Sequence, residues 1–308
     1  MPTLSLVQGD GTYTLGGGAQ PLLLDADGNP RAQIWLERDG DGGLGMPQLR
    51  RLAERGPSQH GASDRGFRLA PRTIDLVFGV AATTYSDLWD ARQALLAMLT
   101  PTDDALALRW DLDNGQSRQI DVYFADGATM EGKDRRGYLQ RVAVQFAAPD
   151  PTFYDPTPVA VTFGASGASS GMAVPLLIPW KFGASSITQA RAIAYAGSWR
   201  SQPIITISGP IASPVITNQV DGAKLDFTGT TLTAGQTMTV DTRYGLKTVI
   251  DQAGANKISA LATGSNLAFA LLAHPQAPGG TNTIQVNGTG IGSATEVYMT
   301  FYTRYIGF

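Results

Sequence analysis

The chain has 308 residues, about two domains' worth, and its 36 glycines and 18 prolines against only 16% charged residues point to many short strands and away from helical bundles, coiled coils and charged disorder. A net charge of −3 supplies no overall basic field to gather nucleic acid or anionic lipid. No cysteine is present, which removes disulfides, thiol catalysis and thiolate zinc sites, and only His60 and His274 are left for histidine chemistry.

Residues 1–11 have neither a basic start nor a long apolar stretch, so no secretory signal is expected there. Residues 25–66 hold two turn-rich runs, Asp25-Ala-Asp27-Gly-Asn29-Pro30 and Asp39-Gly-Asp41-Gly-Gly43, and a short helix is read at residues 48–55. Loops and edge hairpins are expected, forming an arm for contacting a neighbour. In residues 73–80, Ile74, Leu76, Phe78 and Val80 alternate onto one face, as in a half-buried strand. The clearest helix is read at residues 86–99, with Ser86 as its cap, Asp87 and Asp90 at its positive end and Leu88, Ala91, Leu95 and Met98 at helical spacing; Pro101 stops it. Residues 105–110 and 117–124 flank Asp113-Asn114-Gly115 and predict a hairpin, and Tyr138, Val142, Val144 and Phe146 continue a period of two. The first part is thus a β-rich α+β unit with one packed helix.

A boundary is placed near residues 150–158, in a proline-punctuated stretch. Charge supports it: residues 1–155 carry 15 basic and 21 acidic side chains, a balance of −6, and residues 156–308 carry 8 and 5, a balance of +3. The domains are therefore read as 1–155 and 156–308. The second shows short strand candidates at residues 203–208, 214–219, 224–228, 237–242, 246–251, 267–272, 281–286 and 295–305, with glycine-rich turns between them. Such spacing reads as an antiparallel sandwich or jelly roll. In the last candidate Val297, Met299 and Phe301 should face the core, while Tyr298, Thr300, Tyr302 and Arg304 lie on an exposed or interface face. The most apolar window, residues 172–180, is too short for a membrane span and is broken by Pro175 and Pro179.

Chemical motifs give way to plainer readings. Gly167-Ala-Ser169-Ser-Gly171 has the G-x-S-x-G pattern but sits in a linker-like run, where a nucleophile needs a strand-to-helix turn. The run from Glu37 to Gly42 resembles the start of a calcium loop, yet its twelfth position is Gln48 and not a bidentate Glu, and the run from Asp25 puts Pro30 where Gly is needed. Asp103-Asp104 and Asp111 with Asp113 lie in loops, the setting of solvated carboxylates. His60 and His274 are lone loop residues. Arg50-Arg51 and Lys133-Asp-Arg135-Arg136 are short and have acidic neighbours, which suits a solvated face or subunit contact better than nucleic acid. Trp180, Trp199, Tyr244 and Tyr298, Tyr302 and Tyr305 could stack on sugar if exposed, although most aromatics of a sandwich are core or interface. No catalytic, cofactor-binding or metal residue is assigned.

The order of features resembles the siphophage distal tail proteins. The resemblance runs through Gln59-His-Gly61, Ala70-Pro-Arg-Thr-Ile-Asp-Leu76, the helix at 85–99 ending in Leu99-Thr-Pro101, Arg118-Gln-Ile-Asp-Val122 and Ala148-Pro-Asp-Pro-Thr-Phe-Tyr-Asp155. It continues with Gln202-Pro-Ile-Ile-Thr-Ile207, Gly235, Val240-Asp-Thr242, Gly254-Ala-Asn256, Gly280-Thr-Asn282-Thr-Ile284 and residues 302–308. Residues 1–58 match weakly, and the segment from Leu272 to Gly280 is longer than the pattern.

This resemblance implies a mainly β protein: an N-terminal ring-forming (belt) domain and a C-terminal galectin-like or carbohydrate-module-like sandwich. It further implies a homohexameric hub at the virion tail tip, made in the host cytoplasm. The implied partners are the tail tube protein, a tail-associated lysin or tip fibre protein, and a receptor-binding protein or host-surface glycan. DNA would pass through the channel without specific binding. No enzymatic activity and no cofactor are implied. The alternative is a host-surface carbohydrate-binding module acting directly in adsorption.

Overall fold

A computed structural model describes residues 2–9, 11–101, 106–164 and 186–308. The chain divides into two compact units, one of Met1–Pro156 with Tyr305–Phe308 and the other of Thr157–Arg304. The last four residues thus belong to the first unit, whereas the sequence reading had the second domain run to residue 308.

The first unit comprises β1 (Thr3–Gln8), β2 (Gly11–Thr14), β3 (Gln20–Leu24), β4 (Pro30–Gly42), β5 (Leu49–Glu54), β6 (Ser63–Leu69), β7 (Arg72–Ala82), α1 (Tyr85–Met98), β8 (Leu106–Asp111), β9 (Ser117–Thr129), β10 (Arg135–Arg136), β11 (Leu139–Ala148) and β12 (Phe153–Tyr154). Its sheet follows the path β2-β1-β8-β9-β11-β7-β4-β3. Along this path the long β9 joins two strands: residues 117–122 pair with β8, and residues from 123 onward pair with β11 across a register shift, while Gln119 also meets Tyr154 of β12. Such a bulge bends the strand and turns the sheet over its own core. Alternation in β7 sends Ile74, Leu76, Phe78 and Val80 inward, all fully buried, to meet Val142, Val144 and Phe146 of β11.

The expected hairpin forms, with Asp111 opposite Ser117 and Gly115 in the left-handed conformation its turn needs. Gln140, not Tyr138, is the buried residue that begins the inward face of β11; Tyr138 precedes the strand and is exposed.

Helix α1 starts one residue earlier than expected. Its cap is Thr84, not Ser86, and the Thr84 hydroxyl accepts from the Asp87 backbone N–H at 3.1 Å. Leu88, Ala91 and Leu95 bury one stripe, each leucine contributing about 1.5–3 kcal/mol in removing its apolar surface from water. Residues 48–55 are not helical: they form β5, which pairs antiparallel with β6. Leu49, Leu52 and Ala53 carry a weak helical spacing, and pairing with the partner strand overrides it.

The second unit comprises β13 (Val159–Gly164), β14 (Ser186–Ala194), β15 (Ile204–Ser208), β16 (Ile211–Asn218), β17 (Lys224–Asp226), β18 (Thr231–Leu232), β19 (Thr237–Asp241), β20 (Thr248–Asp251), β21 (Thr281–Thr289) and β22 (Glu296–Phe301); the last strand, β23 (Arg304–Tyr305), straddles the division between the units. Two antiparallel sheets, β13-β22-β15-β19-β20 and β14-β21-β16-β17 with β18 beside β16, enclose one core. Ile205, Val240, Val297 and Met299 fill it from one sheet and Ile216, Leu225, Ile284 and Val286 from the other. The expected β-rich unit with one α-helix followed by an antiparallel sandwich is therefore the observed fold class.

Residues 267–272 do not form the expected strand. Leu271 makes only an isolated bridge with Ser201, and side chains take groups on either side of it: Asn218 donates to the Ala270 carbonyl at 3.0 Å, and Asn282 both accepts from Leu272 N–H at 2.8 Å and donates to its carbonyl at 2.9 Å. Two fully buried amides thus replace a ladder that periodicity alone suggested.

Candidate assembly surface

Local chemistry in the first unit is mostly spent on structure. The Asp25 carboxylate accepts from the backbone N–H of Asp27 and Asn29, closing the β3–β4 turn. Asp39 and Asp41 lie within β4, at a register shift opposite β7, and not in a calcium loop. Asp111 accepts from Arg109 and Ser117 beside the hairpin turn. No group of three potential metal ligands comes together among the described residues. His60 and His274 are exposed in separate loops. Residues 167–171, 172–180 and Asp103-Asp104 lie outside the described residues.

What stands out is how β5 and β6 are carried. They form a two-stranded hairpin that, among the described residues, pairs with no other strand, and nearly every residue in it is exposed. Two-stranded hairpins are marginal alone. This one is fixed at its base by a hydrogen bond from Ala70 N–H to the Gln48 carbonyl at 2.9 Å and, beyond that, by Arg72.

The Arg72 side chain is 4% exposed and satisfies four carbonyls: Gly43, Gly45 at 2.6 Å, Pro151 at 2.9 Å and Ile306 at 2.6 Å. It also stacks over Phe153, 4.6 Å from the ring centre. Burial lowers its pKa to about 10, which leaves it cationic at neutral pH. Gly43 is held at φ +83, where a β-carbon would meet the Thr73 carbonyl oxygen at 2.0 Å. Arginine with this role was invisible in the sequence; only its place in the Ala70-Pro-Arg72 run hinted at it.

Beside this anchor, Arg118 pairs with Asp155 at 2.6 Å and lies over the Tyr305 ring at 3.6 Å, and the Tyr305 hydroxyl reaches Asp155 at 3.1 Å. Trp110, Phe153 and Phe308 make mutual edge contacts. Residues 305–308 are thus built into the first unit, and Tyr305 is committed there and not to a sugar-stacking group.

A second exposed surface lies on the outer side of α1. Tyr85 and Tyr138 meet edge-on at 4.8 Å, and Arg92 lies 4.6 Å over the half-exposed Trp89. Trp, Tyr and Arg are the residues that dominate interface hot spots. Close to it, Asp87 accepts from Thr83, Thr84 and Arg31, and these bonds hold its pKa at about 2.

In the second unit, Tyr244 is 60% exposed in the β19–β20 loop and Tyr298 is 40% exposed on the outward face of β22, while Trp199 and Tyr302 are partly buried. Trp180 lies outside the described residues. The aromatics singled out from the sequence are therefore spread over several elements.

Residues 45–148 match a family model described as the phage tail protein RIFT-related domain. The crystal structure of the Dit (gp 19.1) protein of phage SPP1, described as a paradigm of the hub adsorption apparatus in phages infecting Gram-positive bacteria, is similar in fold. It has a TM-score of 0.58 at 14% identity, over 87% of this chain and 93% of that one. The activated, calcium-bound baseplate of phage P2 aligns over 97% of this chain and 98% of that one, with a TM-score of 0.45 and 10% identity. No curated protein matches by sequence. The first two findings bear out the resemblance to the siphophage distal tail proteins.

Proposed function

We propose that this chain, similar to the siphophage distal tail proteins in the sequence of its first unit and in fold over most of its length, is a structural hub of the phage tail tip. The observation that carries this reading is the phage-tail domain match over residues 45–148, which spans the projecting hairpin, its Arg72 base and α1. It supports a place in the virion tail. The finer reading is a homohexameric ring built by the first unit, with a central channel, joining the tail tube to the tip fibre or lysin protein and to the adsorption apparatus. The role is mechanical, not catalytic.

Charge supports the channel. Lysines and arginines facing phosphates make a duplex stick, whereas the −6 of residues 1–155 suits a lumen that passes DNA without holding it. Negative-stain imaging tests the ring: six-fold particles with a central hole, of mass about six times the 32.5 kDa chain, are expected. Discrete monomers at high concentration would overturn it.

A glycan-binding role for the second unit has the exposure of Tyr244 and Tyr298 in its favour. Binding on a glycan array that is lost in Tyr244→Ala or Tyr298→Ala would support it, and an array without signal would remove it.

A further inference from the structure

A glycine in the interior of a long strand weakens it and marks a place where something comes close. Gly79 of β7 is such a residue. Its backbone is not left-handed, so conformation does not explain it; a β-carbon there would stand 2.3 Å from Cζ2 and 2.7 Å from Nε1 of the Trp35 indole. Trp35 of β4 and Arg141 of β11 both pair with Gly79, and the three form one row across the sheet. The indole thus lies across bare strand, partly buried, and its N–H has no hydrogen-bond partner among the described residues.

A cavity of about 310 Å³ opens on this row, lined also by Lys133, Asp134 and Arg136 from the short segment before β11. That size lies at the lower end of the range small ligands fill. Its charged groups are of both kinds: Glu37 and Asp134 against Lys133, Arg136 and Arg141, two carboxylates and three cations, a balance of +1 within residues 1–155 that total −6. Arg141 is committed to Glu37 at 2.9 Å and Lys133 to Glu131 at 2.6 Å. Arg136 is exposed and has no ion-pair partner among the described residues.

Each feature selects a part of a ligand. An indole face is electronegative and takes the C–H groups of a sugar ring. Donors and acceptors side by side suit hydroxyls, which do both. One uncommitted guanidinium suits one anionic group. A wholly cationic lining would fit phosphate alone, and a wholly apolar one a lipid tail.

We propose that this cavity binds an acidic pyranose, a sugar ring bearing one carboxylate or phosphate, stacked on Trp35 with its anionic group on Arg136. The proposal rests on the glycan reading for its class of ligand, but its site is in the first unit and shares nothing with Tyr244 and Tyr298 of the second. It is independent of the ring reading, because one unit of one chain supplies every lining residue.

The test is saturation-transfer NMR on the full-length protein with glucuronate, glucose 6-phosphate, glucose, AMP and inorganic phosphate as separate probes. Both acidic sugars are expected to bind with millimolar affinity, the range open to so small a ligand. Glucose should bind about tenfold more weakly or worse, and Arg136→Glu should weaken the acidic sugars by the same factor while Arg136→Lys keeps most of their affinity. Trp35→Ala should abolish binding, and Tyr244→Ala and Tyr298→Ala should leave it unchanged. Thermal unfolding of Arg136→Glu should match the wild type, since the side chain is exposed. Where Trp35→Ala does not fold, Arg136→Glu decides alone.

No transfer to either acidic sugar would overturn the proposal, as would glucose binding equally well or acidic-sugar binding that survives Arg136→Glu. Loss of binding in Tyr244→Ala or Tyr298→Ala would give the sugar to the second unit, overturning the site and keeping the glycan reading. AMP binding more tightly than the sugars, or inorganic phosphate binding as tightly as glucose 6-phosphate, would assign the cavity to nucleotides or to simple anions and overturn the proposal as well.

Discussion

Arg72 holds together pieces of chain that are far apart in sequence, through donors that only a guanidinium arranges in a planar fork. Lysine keeps the charge but cannot reach four carbonyls at once. Arg72→Lys should therefore cost the first unit about 2–3 kcal/mol, read as a shifted midpoint in urea unfolding. Gly43→Ala attacks the same base from the other side. A β-carbon against the Thr73 carbonyl at positive φ should cost about 3 kcal/mol or more and loosen the arm's hydrogen exchange.

Asp87 gives a pH signature. Its folded pKa of about 2 lies below the usual carboxylate value, so its contribution is complete above about pH 5 and vanishes as the pH falls from about 4 to about 2. Asp226 in the second unit, bonded to Thr228 and Lys224, follows the same course. Asp87→Asn should flatten the acid limb of the first unit's stability curve, and Thr84→Ala should cost about 1 kcal/mol as a lost cap.

At the scale of elements, periodicity carried the strands whose inward faces meet a core, as in β7, β11 and β22, because alternation is the direct imprint of half-burial. It failed where the inward–outward alternation was absent or where side chains took the backbone groups. The helix read at residues 48–55 became β5 through pairing with β6, and the strand read at 267–272 shrank to one bridge at Leu271, flanked by groups that Asn218 and Asn282 satisfy. The candidate assembly surface was legible only in outline. An arm near residues 25–66 was expected, but which residues of β5 and β6 face each other depends on register, which a single sequence does not state. Asn282→Ala should be among the more damaging single changes in the sandwich, about 3 kcal/mol, since the fully buried amide side chain is lost and the partly buried Leu272 amide and carbonyl lose their partner; calorimetry should show the effect confined to the second unit.

For the molecule as a whole, the two units predict two unfolding transitions. Deleting residues 305–308 removes a carbonyl from Arg72, a ring from the Trp110 cluster and the hydroxyl bound to Asp155. The expected loss is about 3 kcal/mol or more in the first unit, with the sandwich transition unmoved, although the deleted residues follow the sandwich in the chain. A cut that destabilised only the second unit would contradict this division.

The hydrogen bond between Tyr305 and Asp155 has a further meaning for how such a chain can change. The sandwich leaves the first unit at residue 156 and the chain re-enters it at residue 305, so the two exits lie side by side. A module with neighbouring entry and exit can be removed, or exchanged for another of different size, without rethreading its host. Residues 157–304 are in that sense a cartridge. The first unit should fold when they are replaced by a short glycine-serine bridge, and the same first unit could then carry many different second modules.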